Sequence, residues 1–178
     1  MMLLLTMWAE AWAEPPEAWY QVGTAGYTVE TSEQAHDGER SVVIRGARKA
    51  NDFGGIGQTI SANRYQGKRV RMTVWLRTQD VTGWAGAWFR VDREGSEVAF
   101  DNMQQRSLSG TQPWAQHSLV LDVPKDAEQL VYGALLSGKA GSLWVDDLRL
   151  EVVDRDVPVT DMLVEKKPTS PQNLGFEE

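Results

Sequence analysis

Three tryptophans and four arginines are spread over two alternating runs, RVRMTVWLRT and WAGAWFRVD. Trp75 shares one set of alternate positions with Arg71 and Arg77, and Trp84 and Trp88 share another with Arg90. Just beyond them, Asp101, Asn102 and Gln104 sit in FDNMQ. Large, rigid, partly wet aromatic rings stack on the C–H faces of sugar rings, while polar side chains hydrogen-bond the hydroxyls. If the two runs are neighbours in one sheet, its concave face is an aromatic and polar trough. The ligand class that fits is a carbohydrate or another small polyol-like molecule, with no organic cofactor. The competing reading is that these rings fill a core, as Trp more often does than not. Eight Trp in 178 residues are enough for both roles, and Trp114 and Trp144 read as structural.

Other chemistry is thinly supported. His36 lies in the turn AHDG, and alternation places His117 on a solvent face; neither belongs to a G-x-S-x-G, H-E-x-x-H or Cys-based motif. No catalytic residue is assigned, and the chain reads as a non-enzyme. GGIGQT at 54–59 lacks the Lys of a phosphate loop and no helical pattern follows, so it reads as a loop or bulge opening a strand.

Elements that position these residues are short and alternating. Strands are expected at Trp19–Val22, Gly26–Glu30, Ser41–Arg45, Gly55–Ser61, Lys68–Thr78, Trp84–Asp92, Glu97–Asp101, Ala115–Val123, Gln129–Leu136 and Ser142–Val152. Turn residues separate them, and DREGSE reads as a hairpin. A single helical turn is expected over Leu121–Glu128. Val70, Met72, Val74 and Leu76 share one face of their strand, opposite Arg69, Arg71, Thr73, Trp75 and Arg77. This pattern predicts an all-β fold, a two-sheet antiparallel jelly-roll sandwich.

Composition narrows the function classes. A formal charge of −7 with scattered Lys and Arg argues against a nucleic-acid surface. With no Cys there are no disulfides and no thiolate chemistry. The apolar start, residues 1–14, is too short to span a bilayer. It also lacks the basic region of a secretory signal, because the first basic residue is Arg40; this favours the cytoplasm over export. Residues 15–152 form the module. Residues 153–172, with three Pro and no period, read as a linker able to reach roughly 65 Å, enough to cross a domain of this size.

Four stretches carry a resemblance: AHDGERSVVIRG, YQGKRVRMTVWLRTQDVTGWAGAWFRVD, FDNMQQRSLSGTQPW and VYGALLSGKAGSLWVDDLRLEV. Together, over roughly Pro15 to Val152, they resemble a bacterial carbohydrate-binding-module-like jelly roll of the galactose-binding-like group. Such domains are appended to AraC-type transcription regulators, erythromycin-esterase-like proteins and some serine peptidases. The resemblance implies a non-catalytic module that binds carbohydrate. The alternative is an accessory or sensor domain of a larger regulator or enzyme, acting through protein contact or self-association.

It also implies two details. Related sandwiches often hold a structural calcium between a late-strand Asp, an Asx-Gly turn and the first strand, which here makes Asp37, Asp146, Asp147 and Glu177 candidates. The competing reading pairs Asp146 and Asp147 with backbone amides, Arg149 or Arg71. First strands in such modules often read Asn-x-x-Phe-Glu, whereas here NLGFEE stands at 173–178. That segment is expected to fold back and complete the sandwich, to swap between chains, or to begin a second module.

Overall fold

The computed structural model describes residues 15–47 and 52–163. The apolar segment 1–14 and the NLGFEE segment, with Glu177, lie outside the described residues. Nine strands occur among the described residues: β1 (Tyr20–Gly23), β2 (Tyr27–Ser32), β3 (Ser41–Gly46), β4 (Phe53–Ser61), β5 (Arg69–Arg93), β6 (Ser96–Asp101), β7 (Leu108–Asp122), β8 (Gln129–Ser137) and β9 (Gly141–Val153). One short 3-10 turn, Gln104–Arg106, is the helical element among them, and the helical turn expected near Leu121–Glu128 does not form. No described helix is long and apolar enough to cross a membrane.

β5 organises the rest. Two strands were expected between 68 and 92, but one strand of 25 residues runs through both. Its pairing continues across the irregular stretch, with Thr78 opposite Gln112 and Val81 opposite Gly110. The strand bends there instead of ending. Asp80 adopts a left-handed φ of 53°, and its N–H donates to Thr111 Oγ1 at 3.0 Å. Gly83 packs so tightly on the β8–β9 turn that a Cβ would stand 2.1 Å from the Ser137 carbonyl oxygen, a close approach that requires glycine.

The bend changes β5's neighbours. Residues Arg69–Gln79 pair with β9, and Trp84–Asp92 pair with β8. On the other side β7 flanks the first half and β6 the last residues. Through β5 the strands form one continuous sheet, in the order β1-β4-β8-β5-β9-β3-β2 with β6 and β7 attached to β5. Two separate sheets were expected; β5's unbroken ladder joins them. It is convenient to speak of a β8 arm (β1, β4, β8, late β5, β6) and a β9 arm (β2, β3, β9, early β5, β7).

One hydrophobic cluster holds the arms together. Val70, Met72, Val74 and Leu76 from early β5 and Ala85, Ala87, Phe89 and Val91 from late β5 are fully buried in it, with Ile44 and Leu143 from one arm and Ile56 and Leu130 from the other. Each large aliphatic side chain so buried contributes about 1.5–3 kcal/mol. The β5–β6 hairpin closes through Glu94 (φ 51°) and Gly95 (φ 71°), the pair of positive φ values that a two-residue turn on twisted strands needs. The stretch read as a linker is docked over its first part. Thr160 N–H donates to the Val120 carbonyl and Met162 N–H to the Phe100 carbonyl, tying residues 160–162 to β7 and β6.

Candidate functional site

With alternate residues of late β5 committed to the core, the others face outward from the β8 arm. There they meet apolar residues from strands far apart in sequence. Trp88, Val131 and Leu135 form a second buried cluster, separate from the main core, with Val22, Phe53, Trp84 and Phe100 packed on it. The inner face of this sheet is already covered by the main core, so the cluster is a second apolar surface on its outer side. A cavity of about 250 Å³ opens here, lined by Val22, Phe53, Trp88, Leu135 and Phe100, with Arg90 and Glu97 at its polar end.

Two glycines lie in the cross-strand row of Trp88. Tyr20, Gly57, Gly133 and Trp88 lie in one row across four strands. A Cβ on Gly57 would lie 3.0 Å from the Tyr20 ring and 3.1 Å from the Trp88 ring, so the missing side chain lets two aromatics close over the sheet. Tyr20 is 41% exposed and Trp88 9% exposed. The Trp88 indole Nε1 is buried with no hydrogen-bond partner among the described residues. Arg90 is aimed by Asp92: Nη2 donates to Oδ2 at 2.9 Å, and Nε lies 2.8 Å from Oδ1, off line for a second hydrogen bond. The result is an apolar trough with a fixed cation and a carboxylate at one end. Side chains of these types have the chemistry to stack on an apolar ring face and to hydrogen-bond polar groups beside it.

The other half of the expected site lies elsewhere. Trp75, Arg71 and Arg77 face outward from the β9 arm, because the bend in β5 carries the two halves onto different neighbours. His36 stacks flat on the Trp75 ring at 3.6 Å and 13°, and the Trp114 ring stands edge-on to His36. Arg77 donates to Gln34 Oε1 at 2.7 Å and lies over the Trp144 ring, whose Nε1 donates to Ser32. Arg71 pairs with Glu151 at 2.7 Å. These groups fasten the 32–40 loop and the outer face of β9; they do not join Trp88 in one trough.

FDNM is a turn. Asp101 is fully buried, and both its oxygens are taken by Arg106 (3.0 and 2.6 Å), one also accepting from Met103 N–H. It is therefore not free to serve a ligand hydroxyl. Asn102 Oδ1 accepts from Gln104 N–H at 3.0 Å, a second Asx turn, and Gln104 is exposed. Met103, left-handed at φ 60°, is buried with its sulfur 3.3 Å from Ala87 N–H.

The calcium candidates are also spoken for. Asp146 Oδ2 accepts from His36 and Asp37 N–H at 2.7 and 3.1 Å, and Oδ1 from Asp147 N–H at 2.8 Å. Asp147, left-handed at φ 46°, pairs with Arg149 at 2.7 Å. Asp37 Oδ1 accepts from Gly38 N–H. Carboxylates ringed by N–H donors and a guanidinium turn their lone pairs away from a cation, and no group of three or more metal-type side chains occurs among the described residues. Glu177 lies outside them.

Tyr20, Val22, Phe53, Phe100 and Leu135 were not singled out from the sequence, because Phe53 falls in a turn ahead of the expected strand and the others look like ordinary strand filling in their own segments. A usable signal was the glycine-rich run FGGIG that opens β4, since a strand-interior glycine marks a place where something approaches closely.

No protein-family model matches the chain. Over 150 residues, 82% of the chain, the sequence is 35% identical to an uncharacterized HTH-type transcriptional regulator, YbfP, of Bacillus subtilis strain 168, and it spans 50% of that protein's length. Among solved structures, the CBM22-1 xylan-binding domain of Paenibacillus barcinonensis Xyn10C is 16% identical with a TM-score of 0.55, over 80% of this chain and 90% of that one. TmCBM61, solved in complex with β-1,4-galactotriose, is 14% identical with a TM-score of 0.52, over 81% and 93%. The enzymatically active domain of tailspike protein 4 of bacteriophage CBA120 is 19% identical with a TM-score of 0.59, over 79% of this chain and 20% of that one. At these identities the likeness concerns fold: the chain has the all-β, antiparallel fold of carbohydrate-binding modules.

Proposed function

We propose that this chain is a non-catalytic binding module, a jelly-roll-like β fold whose continuous sheet presents the Trp88 trough to a carbohydrate or similar small polar ligand. The observation that carries the reading is the apolar cluster on the outer face of the β8 arm, bounded by Arg90 and Glu97. Trp88 and Tyr20 supply ring faces, Arg90 donates to hydroxyls and Glu97 accepts from them. The carbohydrate-binding-module fold supports the same reading.

A second reading is favoured by the 35% identity to half of a transcriptional regulator. In it the module is the accessory or sensor part of a larger protein, and the trough receives a protein segment. The discriminating experiment is intrinsic Trp fluorescence of the full chain across a panel of mono- and oligosaccharides, beside Trp88→Ala. A saturable change that is lost in the variant supports the sugar site. A flat response across the panel rejects it and leaves the protein-contact reading.

A further inference from the structure

β9 is only half paired on its outer side. β3 covers it from Gly141 to Val145, after which β3 has run out. From Arg149 to Val153 the described strands pair β9 on the β5 side alone. The core is incomplete at the same place. A cavity of about 400 Å³ opens between the arms there, with Ile56 and Val145 from the core in its lining and Trp19 and Leu148 at its rim. Leu148 and Leu150 lean on the core half-covered, and Val152 is 51% exposed. An unpaired ladder beside an apolar gap is an aggregation hazard unless something covers it.

We infer that this chain's own segment Asn173–Glu178 covers it, as a strand added to the free edge of β9. Three features favour this occupant. Leu174 and Phe176 alternate with Asn173, Gly175 and Glu177, so a strand there turns two large apolar side chains into the gap and polar ones to solvent. Arg40 lines the gap with no ion-pair partner among the described residues; Glu177 and Glu178 complement it. The segment is within reach. Residues 160–162 are pinned to β7 and β6, and β7 lies two strands from β9, about 10 Å across the sheet. The ten residues from Leu163 to Asn173 span up to about 33 Å.

Amide hydrogen exchange on the full chain tests this without requiring a deletion to fold. In β9 alternate amides between Arg149 and Val153 point to β5 and to the free side. With the segment docked, both sets are protected. In the double variant Leu174→Ala/Phe176→Ala the outward set exchanges at least ~10-fold faster while the β5-facing set is unchanged. Outward amides that already exchange freely in the unaltered chain overturn the inference, as does protection that survives the double variant, which assigns the edge to another segment. Mass measurement in solution is the second arm: protection found in a monomer supports docking within one chain. Protection found only in a dimer overturns that and indicates exchange between two copies.

Discussion

Early and late β5 carry the same kinds of residue on their outward faces, yet the two faces became different surfaces. On the β9 arm every group of the expected site has found a partner: Arg71 has Glu151, Arg77 has Gln34 and the Trp144 ring, and Trp75 lies under His36. On the β8 arm Trp88 is surrounded by Val131, Leu135 and Phe100, and its indole N–H has no partner among the described residues. Strand alternation decides which face a side chain takes; the neighbouring strands decide what that face is for. β9 brought carboxylates, and the loop between β2 and β3 brought an imidazole. β4 and β8 brought aliphatic groups and two glycines, which leave room over the sheet.

Paired substitutions in the two faces test that difference most strongly. Trp88→Ala empties the centre of the second cluster and is expected to cost about 3 kcal/mol. Trp75→Ala removes one stacked pair at the surface, about 1.5 kcal/mol. Denaturant melts of both variants compare the costs directly. Equal losses would mean that the two faces are equivalent packing surfaces and would remove the basis for treating the trough as special. The saccharide titration adds the functional axis, since Trp75→Ala is expected to leave any response intact.

The legible parts of this molecule were those set by local period. Val70 to Leu76 alternate so cleanly that their burial follows from the sequence, and DREGSE closed the hairpin its residues demand. The bend in β5 was not legible. Gln79–Gly83 has the composition of a turn, and only its pairing with β7 keeps it in the sheet. That one long-range fact split the expected trough, because residues assumed to be neighbours were carried onto different arms. Asp101 misled for a related reason: an Asx residue in a polar box looks available until Arg106, five positions on, claims both oxygens. Tyr20 and Phe53 join Trp88 only through cross-strand register, which no local pattern encodes.

A smaller effect sharpens the account of the β9 arm. Asp146 holds the 33–40 loop by accepting two backbone N–H groups, and through it keeps His36 over Trp75. Asp146→Ala is expected to cost about 1–2 kcal/mol by leaving those donors unpaired. It should also free the Trp75 ring, raising its accessibility to acrylamide quenching. Because the carboxylate is engaged by donors and not by a cation, calcium or EDTA is expected to leave the Tm of the unaltered chain where it was. A Tm that rises with calcium would show a linked site and return Asp146 to the metal reading.

The smallest predicted effect concerns His117, beside Gln116 on β7. Alternation alone placed it toward solvent, but it falls in phase with Leu119 and Leu121, which are fully buried, and its Nε2 is buried with no partner among the described residues. Burial holds the imidazole below its usual 6.5, and the Arg106 guanidinium pushes in the same direction. Above pH 6.5 the group is neutral folded or unfolded, so its contribution is fully present. As pH falls through 6.5 the unfolded chain takes up a proton that the folded chain resists. Stability is then lost until the lower folded value is passed, with a slope of at most about 1.4 kcal/mol per pH unit for one proton. His117→Gln removes that slope, while His36 and all the carboxylates remain in both proteins. Urea melts from pH 7.5 to 5 should therefore show the difference in stability between the two chains shrinking as the pH drops. Parallel curves would mean that His117 is as wet as the strand pattern first implied, and that the outer rim of β7 is open where the structure closes it.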